Sequence, residues 1–266
     1  MNLDKVNERL ESFQKPQQRE KIDYSAIFWK PELGKQTIRI VPSKYDPDMP
    51  FSELKFHYDV GKYPMVALSN FGKQDPVEEF CKELRKTDDR DNWSLAGRLS
   101  PKTRVFAPIV VRGEEDKGVR LWGFGKQIYE ELLKLAKDED VGDYTDVING
   151  WDLVVEKEEG NPYPKTTVRI KPKQSALSDN NNQVENWLKE QPNASESFTQ
   201  YDYDFIKKQL NERINGSTGE QAPAGDSNTD TSLPKSLGQQ TSDFTLETAT
   251  EGKKDTVGLF DELFDK

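Results

Sequence analysis

A mainly β fold with peripheral helices is predicted by three features of the sequence. Residues 101–130 run strand, turn, strand and helix start: Thr103–Val111 is apolar and β-branched, Gly113–Gly118 is a turn, and Val119–Phe124 resumes strand character. Trp151–Val155 and Thr166–Pro172 form a second strand pair around a turn rich in Glu, Gly, Asn and Pro. Helical periodicity within the body falls at 2–14, 75–85, 126–137 and 201–214, short stretches that flank or separate the strands.

Taken in order, Leu3, Val6, Leu10 and Phe13 recur at helical spacing until Pro16 stops the pattern. Such a helix either docks on its own body or serves as an arm that packs on a neighbouring copy. From Gly34 onward, Ile38, Ile40 and Pro42 alternate against Thr37, Arg39 and Val41, a half-buried strand with Arg39 on its other face. Phe51–Tyr58 is a further strand, and Asp75-Pro76 opens the helix that runs to Arg85, because proline is tolerated at the first helical position.

In the central ribbon, Arg104, Phe106 and Pro108 share one face and Val105, Ala107 and Ile109 the other, while Arg120, Trp122 and Phe124 fall together on the returning strand. Rings beside guanidinium groups suit a nucleic-acid strand, whose bases stack on rings and whose phosphates pair with cations. The plainer alternative is that the rings are core and the arginine stems merely cover them. Lys126–Lys137 then places Ile128, Leu132 and Leu135 inward, where a helix is expected between the strands of a small barrel. Arg169, Lys171 and Lys173 leave the same side of the later strand, while Val168 and Ile170 leave the other. Three cations in line need anionic compensation, from a ligand or from acids such as Glu156 and Glu158.

Tyr201–Ile214 closes the folded body, with Phe205, Ile206, Leu210 and Ile214 at helical spacing. From Asn215 to Lys254 the composition of Gly, Ser, Thr, Gln, Ala and Pro predicts a disordered tether. At its end Leu259, Phe260, Leu263 and Phe264 share a helical face around Asp261 and Glu262, which predicts a motif received by another protein or a mimic of DNA charge.

The net charge of −10 is unevenly spread: 216–266 carries 10 acids and 4 bases, whereas Arg98–Lys126 carries seven cations against three acids. Placement, not the global sum, decides whether phosphates bind. One His and one Cys exclude a disulfide framework and give too few ligands for a Cys/His zinc site. His57 has no companion for acid–base work, so an enzyme is not expected. The N-terminus lacks a signal-peptide pattern and no apolar run reaches membrane-spanning length.

Several stretches together carry a resemblance. Gly34-Lys35-Gln36-Thr37-Ile38-Arg39-Ile40-Val41-Pro42-Ser43-Lys44, Pro50-Phe51 with His57, Trp122-Gly123-Phe124-Gly125-Lys126 and Gly142-Asp143-Tyr144 resemble the gene 32 protein family, the single-stranded DNA-binding proteins of T-even-like bacteriophages. The likeness spans roughly residues 20–190. It implies an OB-fold, a five-stranded Greek-key barrel, with an inserted small subdomain at about 55–98. It also implies a division into an N-terminal cooperativity arm (1–20), a DNA-binding core (21–215) and an acidic partner-binding tail (216–266). The implied setting is replication, recombination and repair in the cytoplasm of an infected bacterium.

Two departures qualify that resemblance. The family's subdomain often holds zinc through one His and three Cys; here Asp75-Pro76-Val77-Glu78 stands where a Cys-Pro-Val-Cys segment belongs, and Cys81 is displaced, so no metal or other cofactor is expected. Apolar packing by Phe56, Val77, Phe80 and Leu84 should hold the subdomain instead. The family's arm is basic, whereas residues 1–20 balance four cations against four acids, which leaves Leu3, Val6 and Leu10 as the self-association contact.

The expectation is therefore passive, sequence-independent and cooperative binding of single-stranded DNA. Phe106, Trp122, Phe124 and Tyr163 would stack on bases, and Arg39, Lys44, Arg104, Arg112, Arg120, Lys126, Arg169, Lys171 and Lys173 would meet phosphates. Leu259–Phe264 would recruit replication and recombination proteins. The rival is an acidic adaptor that acts through its tail alone. Quenching of Trp122 by oligo-dT separates the two, because a core tryptophan does not respond.

Overall fold

The computed structural model describes residues 24–161, 163–216 and 252–264. The arm with Leu3, Val6 and Leu10 and the tether at 217–251 lie outside the described residues. No helix among the described residues is long and apolar enough to cross a membrane.

The strands are β1 (Phe28–Trp29), β2 (Gly34–Ile40), β3 (Ser52–His57), β4 (Met65–Val66), β5 (Lys102–Val111), β6 (Arg120–Phe124), β7 (Gly150–Glu158) and β8 (Lys165–Ser175). They form one sheet in the order β1-β6-β5-β2-β7-β8, with β3 paired to the other half of the long β5 and to β4. Every pairing is antiparallel except β1 with β6. A closed five-stranded barrel is not what these pairings make. Among the described residues nothing joins β8 back to β1 or β6 by strand pairing. A helix stands across that side instead, and it packs against both β5 and β8.

The helices are α1 (Tyr24–Ile27), α2 (Pro76–Leu84), α3 (Arg90–Leu99), α4 (Lys126–Lys137), α5 (Asn181–Lys189), α6 (Tyr203–Asn215) and α7 (Gly252–Phe264). The helix across the open side is α4, and it inserts Leu132 into the main core. That core holds Ile38, Ile40, Val105, Ala107, Ile109, Leu153 and Val155 from one face of the sheet. The other face is covered by the chain between Leu177 and Phe198, which brings Leu177 and Trp187 onto Val41 and Val110, and Ala194 and Phe198 onto Phe56 and Phe106. A sheet buried on both faces reads as a nearly continuous apolar run, which β5 is.

Sequence periodicity does not announce α3 or α5. In α3 the buried residues are Asn92, Ala96 and Leu99, a stripe too small and polar to stand out. In α5 the Asn180 side chain accepts from Asn182 and Gln183 backbone amides, a cap that is legible only beside the Val184, Trp187 and Leu188 spacing that follows it.

A second core lies among α2, α3, α6 and α7. Val77, Phe80, Cys81 and Leu84 recur on one face of α2 and pack on Ala96, Leu99, Ile206 and Leu210. Val77, Phe80 and Leu84 thus do hold this helical layer, but Phe56 does not; it belongs with Phe106 and Phe198 under the sheet.

His57 and Cys81 do not fit a zinc ion. His57 Nε2 is 2.9 Å from Asp75 Oδ2, and the buried Cys81 thiol faces the Ala96 carbonyl oxygen at 3.6 Å. No three His, Cys, Asp or Glu side chains converge among the described residues. Asp75 is the fastener here. Besides His57 it accepts from the backbone amides of Leu68, Val77 and Glu78, and so ties β3, the turn at Leu68–Phe71 and the start of α2 together.

Burial opposes ionisation of Asp75, but the hydrogen bonds from His57 and the backbone outweigh it and hold the carboxyl below its ordinary value. A carboxylate with a depressed folded pKa stabilises the fold above its unfolded value of about 3.9 and loses that contribution as pH falls through the folded value. Asp75→Ala should therefore cost about 3 kcal/mol at neutral pH, since it strands a buried histidine and three amides. Asp75→Asn should remove the component of acid unfolding that sets in below about pH 4. Urea melts at neutral and acidic pH check both; an unchanged acid limb in Asp75→Asn would refute the assignment.

Candidate nucleic-acid interface

The β5–β6 register decides the fate of the central ribbon. Val105 pairs with Phe124, Ala107 with Trp122 and Ile109 with Arg120. Cross-strand partners share a face, so Trp122 and Phe124 join Val105 and Ala107 in the main core, opposite to Arg104 and Phe106. Trp122 is 1% exposed, with its ring edge-on to Trp29 at 5.8 Å and tilted on Phe124 at 4.6 Å. Phe106 is buried under the other face, 5.4 Å from Phe198 and 6.0 Å from Phe28. These three rings stack on protein and are not a platform for bases, contrary to the expectation from sequence.

Four of the expected phosphate contacts are likewise committed within the protein. Arg39 is 0% exposed; its Nη2 donates to the Asp146 carbonyl at 2.6 Å and the Ser175 carbonyl at 2.9 Å, and Nη1 lies 3.7 Å from Asp152. Burial pulls its guanidinium below the ordinary arginine value, against the opposing pull of Asp152. A β-carbon at Gly150 would collide with this guanidinium, so glycine there is what lets the arginine pass. Arg112 donates through Nε and Nη2 to Asp152 Oδ1 at 3.0 and 2.8 Å, and through Nη1 to the Leu177 carbonyl at 2.8 Å. Arg120 is buried and bonds Glu114 at 2.6 Å, a carboxylate that Lys117 shares at 3.0 Å, so it staples the ribbon's own turn. Lys44 donates to the Lys189 carbonyl at 2.9 Å and sits 5.3 Å over the Tyr45 ring.

Six residues of the expected set remain available. Tyr163 is 43% exposed in the β7–β8 turn. Along β8, Arg169 and Lys173 are exposed and Lys171 half-exposed, and β8 is an edge strand paired only with β7. Alternation supplies the arrangement: Val168 and Ile170 turn into the main core, so their neighbours turn out. Lys171 comes within 4.0 Å of Asp152, while no carboxylate among the described residues lies within ion-pair distance of Arg169 or Lys173. The acids proposed as internal compensation sit elsewhere, Glu156 being 3.3 Å from Lys35.

Of the available residues, Arg104 is the other cation without a carboxylate of the described residues within ion-pair distance. It pairs across from Leu54, its Nη2 is 3.5 Å from the Gly123 carbonyl, and its Nε has no hydrogen-bond partner. Burial pulls its guanidinium down, opposed by the neighbouring Tyr58 phenol, whose own ionisation burial pushes up. Lys126 begins α4 close by, its side chain 87% exposed and 3.5 Å from Glu130.

The residues do not converge on one continuous groove. Through the pairs Arg39–Val110, Thr37–Val154 and Val154–Arg169, the register puts Arg104, Arg39, Arg169 and Lys171 on the same face. The 177–198 layer packs across the middle of that face. What remains is two cationic footholds, one near the start of β5 and one on β8; they are three strand spacings (about 14 Å) apart across the sheet and, because Arg169 falls in line with Arg112 through Val154 and Thr37, also offset by eight residues (about 26 Å) along β5. Tyr58 beside Arg104, and Lys30 beside Lys157, are cationic-site neighbours with no signal in the sequence, since each pair is joined only by folding.

At the tail, α7 is observed, with Asp261 and Glu262 exposed, Phe260 buried and Leu259, Leu263 and Phe264 half-buried.

No curated protein matches the chain. A family model described as gp32 DNA binding protein like matches residues 32–216. That stretch holds both cationic footholds and, of the helical layer, α2, α3 and α6. The chain belongs to the gp32 DNA-binding-protein-like family, whose members bind single-stranded DNA and are not enzymes.

Proposed function

We propose that this chain coats single-stranded DNA without reading its sequence, as an accessory of phage replication, recombination and repair. The observation that carries the reading, given the family, is the run of outward cations on β8. Arg112 and Arg120 are taken up by carboxylates of the fold, whereas Arg169 and Lys173 stand in line with Lys171 on one side of an edge strand, with no carboxylate of the described residues in ion-pair distance of either. Uncompensated cations on an edge strand next to an exposed Tyr163 suit a backbone of phosphates with a base to stack.

In this reading the curved sheet and α4 act as an OB-like body, with the 55–98 segment inserted as a helical subdomain. Residues 1–20 link copies through Leu3, Val6 and Leu10, and residues 216–266 bring the Leu259–Phe264 tip to replication and recombination proteins. The acidic-adaptor alternative draws support from the burial of Trp122, but it leaves the β8 cations without a role.

Five cations are available for phosphates: Arg104, Lys126, Arg169, Lys171 and Lys173. Each contact to a single strand contributes about 0.7 to the salt slope, so log affinity for poly-dT should fall with log salt at a slope of about −3.5. A titration at several salt concentrations checks this. A slope near zero, or no binding at low salt, would overturn the reading.

A further inference from the structure

We propose that the face formed by α2, α3 and α6 is a dock for the chain's own C-terminal helix, and that docking withholds the Leu259–Phe264 tip from other proteins. The proposal rests on the reading of that tip as a recruiting motif and adds its regulation.

The seat is specific. Phe260 inserts into the helical core, 1% exposed, with its ring edge-on to Phe80 at 5.7 Å. Phe264 lies 4.7 Å from Phe260 and 6.4 Å from Tyr203. Lys207 of α6 donates to the Phe264 carbonyl at 3.0 Å and sits 5.1 Å over its ring, which satisfies a carbonyl at a helix C-terminus. At the other end Thr256 Oγ1 donates to the buried Asn92 Oδ1 at 3.2 Å. Three helices of the body thus each contribute a contact: α2 through Phe80, α3 through Asn92 and α6 through Tyr203 and Lys207.

The seat is also shallow. Among the described side chains of α7, Thr256 to Phe264, only Thr256 and Phe260 are buried; Leu259, Leu263 and Phe264 keep part of their apolar surface exposed, and Asp261 and Glu262 face solvent. A helix held by one deep anchor, with its remaining apolar residues half-accessible, is poised for exchange. The same residues cannot serve two surfaces at once, so a partner that binds this face of α7 must first lift it off.

Exchange is read with a fluorescein-labelled peptide of residues 252–266, titrated with the full chain and with full-length Phe260→Ala. The variant, whose own α7 no longer fills the seat, should bind the peptide at least ten-fold more tightly than the natural chain. A peptide carrying Phe260→Ala should bind neither. Amides of 256–264 should exchange at least ten-fold more slowly in the natural chain than in the variant, and both should sediment as monomers.

Equal peptide binding by the two chains, absence of binding to the variant, or equal amide exchange would each overturn the proposal. A dimer of the natural chain that dissociates on Phe260→Ala would also overturn it, since the seat would then be filled by a second copy. Oligo-dT binding by the same samples is independent: its failure would sink the DNA reading and leave the docking result standing.

Discussion

Trp122→Ala is expected to destabilise the protein by about 3–5 kcal/mol, the range for removing a large ring from a packed core. Trp122 is 1% exposed and contacts Trp29 and Phe124 in the main core, so its loss leaves a cavity that neighbouring strands, tied on both sides by backbone pairing, cannot fill. The same burial means that oligo-dT should leave Trp122 emission unchanged. A chain in which Trp29, Trp93, Trp151 and Trp187 are replaced by Phe isolates that emission, and chemical denaturation of Trp122→Ala measures the stability. If instead Trp122→Ala melts like the natural chain and loses DNA affinity, the ring faces the ligand and the β5–β6 register is wrong.

The second large effect concerns binding rather than stability. Arg169→Gln, Lys171→Gln and Lys173→Gln combined should lower affinity for poly-dT at low salt by about two orders of magnitude. Loss of three contacts should also flatten the salt slope by about 2, at roughly 0.7 per contact. Stability should hardly change: Arg169 and Lys173 are exposed without carboxylate partners among the described residues, and the Lys171–Asp152 contact is long at 4.0 Å, with Asp152 still held by Arg112 at 2.8 Å when Lys171 is lost. The comparison is Arg112→Gln, whose bonds to Asp152 and the Leu177 carbonyl are internal and whose loss should appear as a lower melting point. A triple variant that binds like the natural chain would move the interface off β8.

Both expectations follow from the same division between what local pattern encodes and what register and long-range contact add. The strands at 102–111, 120–124 and 165–175 and the helices at 76–84, 126–137 and 203–215 were legible because alternation, turn glycines and caps are properties of neighbouring residues. So was the outward row on β8, which needs only the period of a strand and the burial of Val168 and Ile170. The helical face of Leu259–Phe264 was legible for the same reason, but not the start of its helix at Gly252 nor its seat, which depends on Phe80 and Lys207 far away in the chain.

By itself the sequence determined the longer strands and the periodic helices, the family resemblance and the uneven distribution of charge. Only the tertiary structure decided which rings and cations are available to a ligand. A strand shows two faces, and nothing local says whether a second layer covers both. Here α4 covers one and the 177–198 chain the other, so Phe106, Trp122 and Phe124 became core and Arg39 was sealed against Asp146, Asp152 and Ser175. Arg169 and Lys173, chemically the same kind of residue, stayed exposed because β8 is the edge of the sheet.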